Sequence, residues 1–255
     1  MKIFLFLVTL LASINGYSQT TIYSEDFEGA GYSFTLNTTD VSSTAAGYNP
    51  WVVNNSFMGG SGSLICLGFP FSFSVSNTAA QPAGITNSPN STYMHISSQE
   101  AINNGITCAS YQASDGLCYY DENNFSKMSA DISTSGLSAI DLNFWWVCGG
   151  AVGTTYGEVY YSLDAGATWV LQASNYLNST TWIQESLTNP LWDNQATLRF
   201  GFRFVNLTAT VGLDPGFAID DITVIQNCSA TNSTINEVVC DSYTSPSSNY
   251  TWTSS

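Results

Sequence analysis

The sequence predicts an all-β fold, a β-sandwich or jelly roll. Three observations carry this. First, apolar and polar residues alternate with a period of two. Leu198, Phe200, Phe202 and Phe204 alternate with Arg199, Gly201, Arg203 and Val205, and Leu142, Phe144, Trp146 and Cys148 alternate with Asp141, Asn143, Trp145 and Val147. Such a period marks strands with one face on a core. Second, no stretch combines helical period with helix caps. Third, Gly, Asn, Ser and Pro clusters separate the apolar runs, as expected of many short strands joined by turns. With 255 residues, 44% of them hydrophobic, there is enough chain for one large β domain and part of another.

From the N-terminus, Lys2 followed by the apolar run Ile3 to Ala12 and by Gly16-Tyr17-Ser18 reads as a signal peptide over residues 1–18, cleaved before Gln19. The run is too short to cross a hydrocarbon core of about 30 Å. Export permits disulfides, and six cysteines suit that compartment.

Two acidic motifs bracket the main domain, expected over residues 19–226. Tyr23-Ser24-Glu25-Asp26-Phe27-Glu28-Gly29 opens it, and Phe217-Ala218-Ile219-Asp220-Asp221-Ile222-Thr223-Val224 closes it. Carboxylates set in apolar strand sequence are costly to bury alone. The first and last strands of a sandwich are often close, so Asp26, Glu28, Asp220 and Asp221 are candidate ligands for Ca²⁺, which takes six to eight oxygens. The plainer alternative is hydrogen bonding to backbone at strand ends, with Arg199 or Arg203 as counter-ion. A glycosidase carboxylate pair would need a cleft and a raised pKa, and the sequence reveals neither.

Between these motifs, Met94 and Ile96 alternate with Tyr93, His95 and Ser97, which places His95 on the outer face. Cys108 and Cys118 bracket a short polar loop and are expected to form a local disulfide. Cys148 ends an apolar strand and reads as a buried thiol, and Cys228 is free to pair with Cys240. Six cysteines allow fifteen connectivities. Ser162-Leu163-Asp164-Ala165-Gly166-Ala167-Thr168-Trp169 fits an Asp-box hairpin: Asp164 bonds its own turn, Gly166 supplies the left-handed residue and Trp169 packs beneath. Trp51, Trp145, Trp182 and Trp192 are candidates for stacking on sugar rings, against the alternative that they fill the core. Trp145 is favoured, because Phe144 and Trp146 claim the opposite face of its strand. Residues 227–236 read as a polar linker, and 237–255 as the start of a further β module that the sequence does not complete.

Composition excludes several functions. There are 4 Lys and Arg against 19 Asp and Glu, a net charge of −15. Nucleic acids and anionic membranes need basic clusters that this chain lacks. One histidine cannot build a multi-histidine zinc site, and two arginines after the signal segment cannot form a three-arginine sialidase clamp.

The acidic motifs Ser24-Glu25-Asp26-Phe27-Glu28 and Ile219-Asp220-Asp221-Ile222 resemble those of the cleaved-adhesin and choice-of-anchor-J jelly rolls, relatives in shape of MAM domains. These occur in Bacteroidetes proteins exported by the type IX system. Asn49-Pro50-Trp51-Val52-Val53-Asn54-Asn55, Tyr93-Met94-His95-Ile96, Asp193 to Arg203 and Asp214-Pro215-Gly216-Phe217 are similar to segments of the same group. The resemblance covers about residues 22–226. It implies calcium at Asp26, Glu28 and Asp221, with Asp220 nearby, no catalysis, and a place at the cell surface. Cys240 to Pro246 resembles the start of an Ig-like repeat. The function expected is therefore a calcium-stabilised adhesion module that contacts glycans or proteins or serves as a spacer. The alternative is an accessory carbohydrate-binding module of a secreted hydrolase whose catalytic domain lies beyond residue 255.

Overall fold

The computed structural model describes residues 19–41, 48–112, 123–207, 213–227, 242–244 and 251–253. Two compact units are present. The larger, Ser18–Cys228, is an antiparallel β-sandwich. One sheet runs β11(Ser179–Thr188), β8(Ile140–Cys148), β13(Ala218–Asn227), β6(Tyr93–Ile96), β3(Trp51–Asn54), and β1(Gln19–Glu25) also pairs with β13. The facing sheet runs β10(Val170–Tyr176), β9(Thr155–Ser162), β12(Arg199–Asn206), β7(Asn124–Met128), β2(Phe34–Thr38). In the smaller unit, β14(Ser242–Thr244) pairs with β15(Thr251–Thr253).

The alternation read from the sequence builds the core. Leu142, Phe144, Trp146 and Cys148 of β8 point inward, as do Phe200, Phe202 and Phe204 of β12. Phe144 meets Phe202 edge-on at 5.3 Å, and Phe217 stacks on Tyr176 at 5.7 Å. At Gly157 the core has no room for a side chain, since a Cβ would lie 2.4 Å from the Phe217 ring.

Parts of both sheets are covered on their outer faces too, which the period of two did not foretell. On β12, Arg203 is buried. It donates to Asp40 in a bidentate pair of 2.6 and 2.8 Å and to Glu158 at 3.0 Å. Arg199 pairs with Asp131 at 2.5 Å. Neither arginine is the counter-ion of the acidic motifs, which corrects that alternative.

The excursion between β3 and β6 covers the first sheet. It contains the hairpin of β4(Gly60–Cys66) and β5(Phe69–Val75), whose tip exposes Ile65, Leu67 and Phe69. Its remaining turns pack Phe57, Ala79 and Ile85 against Tyr93, Trp182 and Val147. His95 is therefore fully buried, not at the surface as its alternation suggested. One short helix, α1(Gln99–Asn103), follows β6. Ser98 caps it by accepting from the Ala101 N–H. Among the described residues, no helix is long and apolar enough to cross a membrane.

Candidate functional site

The two acidic motifs meet at a gap in the first sheet. β8 runs along one side of β13. On the other side, β6 pairs with Ala218 and Ile219, and β1 pairs from Ile222 onward. Asp220 and Asp221 occupy the step between these two partners. The β8–β13 register shifts there, and Asp221 takes a left-handed φ of 47°. Because β1 ends at Glu25 opposite Ile222, the chain that continues into Asp26 and Glu28 leaves the sheet beside Asp221.

Each carboxylate has its own setting. Asp220 is fully buried; its Oδ2 accepts from Gln81 Nε2 at 2.6 Å and Ser91 Oγ at 2.9 Å, and its Oδ1 accepts from the Asp221 N–H. Asp221 Oδ2 accepts from Thr86 N–H at 2.7 Å and Thr86 Oγ1 at 3.1 Å, while its Oδ1 is shielded from solvent without a hydrogen-bond partner. Asp26 and Glu28 are exposed; Asp26 Oδ1 accepts from the Glu28 N–H, and Glu28 Oε1 accepts from the Thr92 N–H at 2.6 Å.

Burial pushes the Asp220 carboxyl up to about 8, and the negative charges of Asp221 and Glu28 push the same way. Asp221 is raised by burial and then by the charges of Asp26 and Glu28. Asp221 thus lies in the field of Asp26 and Glu28, and Asp220 in that of Asp221 and Glu28. As the side chains stand, no group of three His, Cys, Asp or Glu among the described residues is arranged to hold a metal ion. The donor set nonetheless fits a hard cation in kind. It is all oxygen, it holds an orphaned carboxylate oxygen, and both arginines are engaged elsewhere.

Beside this junction lies a groove of about 400 Å³ on the outer face of the sheet. Asp26 and Asp221 line it together with Glu25, Ile222, Trp145, Asn143, Gln184, Ser24 and Thr223. Strand register sets these positions: Trp145 pairs with Gln184, and Ser24, Thr223 and Asn143 lie side by side across β1, β13 and β8. The 82–88 turn forms a wall. Thr86 ties it to Asp221, and Gly84 packs so closely that a Cβ would come 3.3 Å from the indole of Trp145.

Trp145 is thus partly exposed in a groove, whereas the other tryptophan candidates are core residues. Trp51 is 1% exposed, meets Phe217 edge-on at 5.8 Å and donates its indole N–H to the Asn124 carbonyl. It cannot stack on a ligand. Trp182 and Trp192 are buried as well. The expected Cys108–Cys118 bridge also needs correction. Cys108 is a free, buried thiol packed beneath the β4–β5 hairpin with Val75 and Ile106, and Cys118 lies outside the described residues. Cys148 is free and buried, as its strand position implied. Cys66 is the described cysteine that is disulfide-bonded. Sequence reasoning missed Gln81, Thr86 and Ser91, which come from turns whose docking on β13 has no local signature.

No family model matches the chain, and no curated protein sequence matches it. Solved structures of similar shape exist. The K3 cleaved adhesin domain of Lys-gingipain from Porphyromonas gingivalis is 16% identical, with a TM-score of 0.41 over 80% of this chain and 98% of that one. The K2 cleaved adhesin domain of Lys-gingipain is 14% identical, with a TM-score of 0.36 over 79% and 96%. The CBM22-1 xylan-binding domain of Paenibacillus barcinonensis Xyn10C is 8% identical, with a TM-score of 0.37 over 85% and 99%. The likeness is to the general shape of the sandwich.

Proposed function

We propose that this chain is an exported, non-catalytic binding module of the adhesin type. In this reading it is carried out by the type IX route and held at the outer membrane, and calcium staples its first strand to its last. One observation carries the binding reading: Asp26 and Asp221 of the acidic junction line an open groove together with Glu25, an indole and several uncharged hydrogen-bonding side chains. The single histidine is unavailable for acid–base chemistry, because both its ring nitrogens face protein oxygens inside the fold.

Calcium would be held by Asp26 and Asp221, with Glu28 adding negative charge and Asp220 lying beneath. Bound there, it neutralises carboxylates that otherwise repel one another across the gap. The chain's own contribution is to fix those carboxylates. The Thr86 N–H and hydroxyl hold one oxygen of Asp221 and leave the other free, and Gln81 and Ser91 immobilise Asp220 beneath. The test is thermal unfolding in calcium and in EDTA, with elemental analysis of the purified protein. Calcium at one hundred times Kd should add about 2.7 kcal/mol, and Asp221→Ala should abolish most of that difference. An identical melt in EDTA, with no bound metal, overturns the calcium reading.

A hydrolase reading has a specific observation in its favour: Asp221 has a raised pKa and lines the groove. Incubation with polysaccharides and assay of reducing ends separates the two readings. Release of sugar that Asp221→Asn abolishes would replace binding with hydrolysis.

A further inference from the structure

We propose that the groove at Trp145 is a binding site for an uncharged polysaccharide chain, laid across the strands of the outer sheet face. This rests on the binding-module reading above but not on calcium.

The first argument is hydrogen-bonding capacity that the protein does not use itself. The side chains of Ser24, Asn143, Gln184 and Thr223 have no hydrogen-bond partner among the described residues, though all line one groove. Asn143 and Gln184 each bring an acceptor and two donors, and the hydroxyls bring both roles. Such mixed groups suit sugar hydroxyls, which donate and accept in turn.

The second argument is spacing. Ser24, Thr223 and Asn143 come from three adjacent strands, and Ser186 follows opposite Asn143 on β11. Neighbouring strands lie about 4.8 Å apart, close to the length of one pyranose unit, so a chain crossing the strands meets a fresh polar side chain at each sugar. Trp145, in the adjoining row with Gln184, supplies an apolar ring face against which the C–H face of a pyranose packs. The indole is steadied by Gly84 from the 82–88 turn, so little ordering remains to be done on binding. A groove of about 400 Å³ falls within the usual range of about 300–1,000 Å³ for ligand sites.

The third argument is charge. No Lys or Arg lines the groove, whereas Glu25, Asp26 and Asp221 do. Arg199 is held by Asp131, and Arg203 is buried between Asp40 and Glu158. With no Lys or Arg in the groove, a uronate or sulfated sugar would meet repulsion from the groove's carboxylates in calcium-free protein, so uncharged glycans are selected there.

The test uses the whole chain in EDTA, in native gels cast with neutral polysaccharides (mannan, galactan, glucan, xylan) or with polygalacturonate or chondroitin sulfate, backed by an array of neutral glycans. At least one neutral glycan should retard the protein, and the acidic ones should not. Trp145→Ala should weaken binding about tenfold or more, and Trp145→Phe should retain part of it. Gln184→Ala, at an exposed position, should also weaken binding without changing the melt, which keeps the test valid if Trp145→Ala fails to fold. Failure to bind any neutral glycan, preference for acidic ones, or undiminished binding by folded Trp145→Ala or Gln184→Ala overturns the proposal. The calcium reading is judged by melting and metal content, so either can fail alone.

Discussion

Acidification should destabilise this protein through its single histidine. His95 has no exposed surface; its ring stacks on Tyr93 at 4.4 Å, with Nδ1 3.1 Å from the Ile96 carbonyl and Nε2 3.2 Å from Asn54 Oδ1. Asn54 is fixed in that orientation, because its Oδ1 accepts from the Ser56 N–H and its Nδ2 donates to the Thr107 carbonyl. Two acceptors would suit an imidazolium, which donates from both nitrogens. Burial opposes the charge and is the larger effect, so it pushes His95 down from 6.5 to about 4. The unfolded chain therefore binds more protons than the folded one between those values. Stability from this group is intact above pH 6.5 and is lost as the pH falls toward 4, at about 1.4 kcal/mol per pH unit and about 3 kcal/mol in all. Asp214, which burial raises to about 6, and Asp220, which burial raises to about 8, work in the opposite sense, the first over part of that window and the second over all of it. The diagnostic quantity is thus the stability difference between wild type and His95→Gln in urea, followed across the window. It should move against wild type by about 3 kcal/mol on acidification. As the chain has one histidine, the ring should give one NMR titration, still neutral well below pH 6. A folded-state pKa at or above 6.5 would refute the reasoning and mean that the two acceptors outweigh burial.

Three further outcomes are expected. Arg203→Ala strands the buried carboxylates of Asp40 and Glu158 and should cost about 3–5 kcal/mol in urea unfolding, whereas Arg199→Ala, at a partly exposed pair, should cost about 1 kcal/mol or less; equal effects would contradict the difference in burial. Gly157→Ala drives a methyl group into the Phe217 ring and should cost about 1–3 kcal/mol, and a neutral result would show that the ring can move aside. In non-reducing peptide mapping, Cys66 should appear in a bridge and Cys108 and Cys148 as thiols that alkylate only after unfolding; rapid labelling of Cys108 in the native protein would contradict its burial.

Inward-facing positions were legible because a strand repeats every two residues, so Leu142, Phe144 and Trp146 or Phe200, Phe202 and Phe204 announce a buried face without knowledge of its partner. The same rule failed for His95 and Arg203. It assumes that the opposite face meets water, and here the excursion between β3 and β6 and the side chains of Asp40 and Glu158 cover those faces. Period identifies the face; only tertiary packing decides what lies over it. The Asp-box hairpin was fully local and emerged as read: Asp164 accepts from the Thr168 N–H and hydroxyl, Gly166 has a φ of 86°, and Trp169 packs below on Phe125.

The tryptophans separate local from non-local information most sharply. Trp51 opens a four-residue strand with no pattern long enough to fix its face, and it is a core residue. Trp145 sits in a nine-residue alternating strand whose apolar neighbours already claim the core, so its outward direction followed from the sequence. What did not follow was its company. Gln184 and Thr223 reach it through strand register, and Asp221 reaches the same groove only because β13 exchanges one partner for another beside it. That exchange joins two acidic motifs almost 200 residues apart to the one exposed-face tryptophan of β8. Asp26, Asp221 and the indole, separate features in the sequence, line a single groove in the fold.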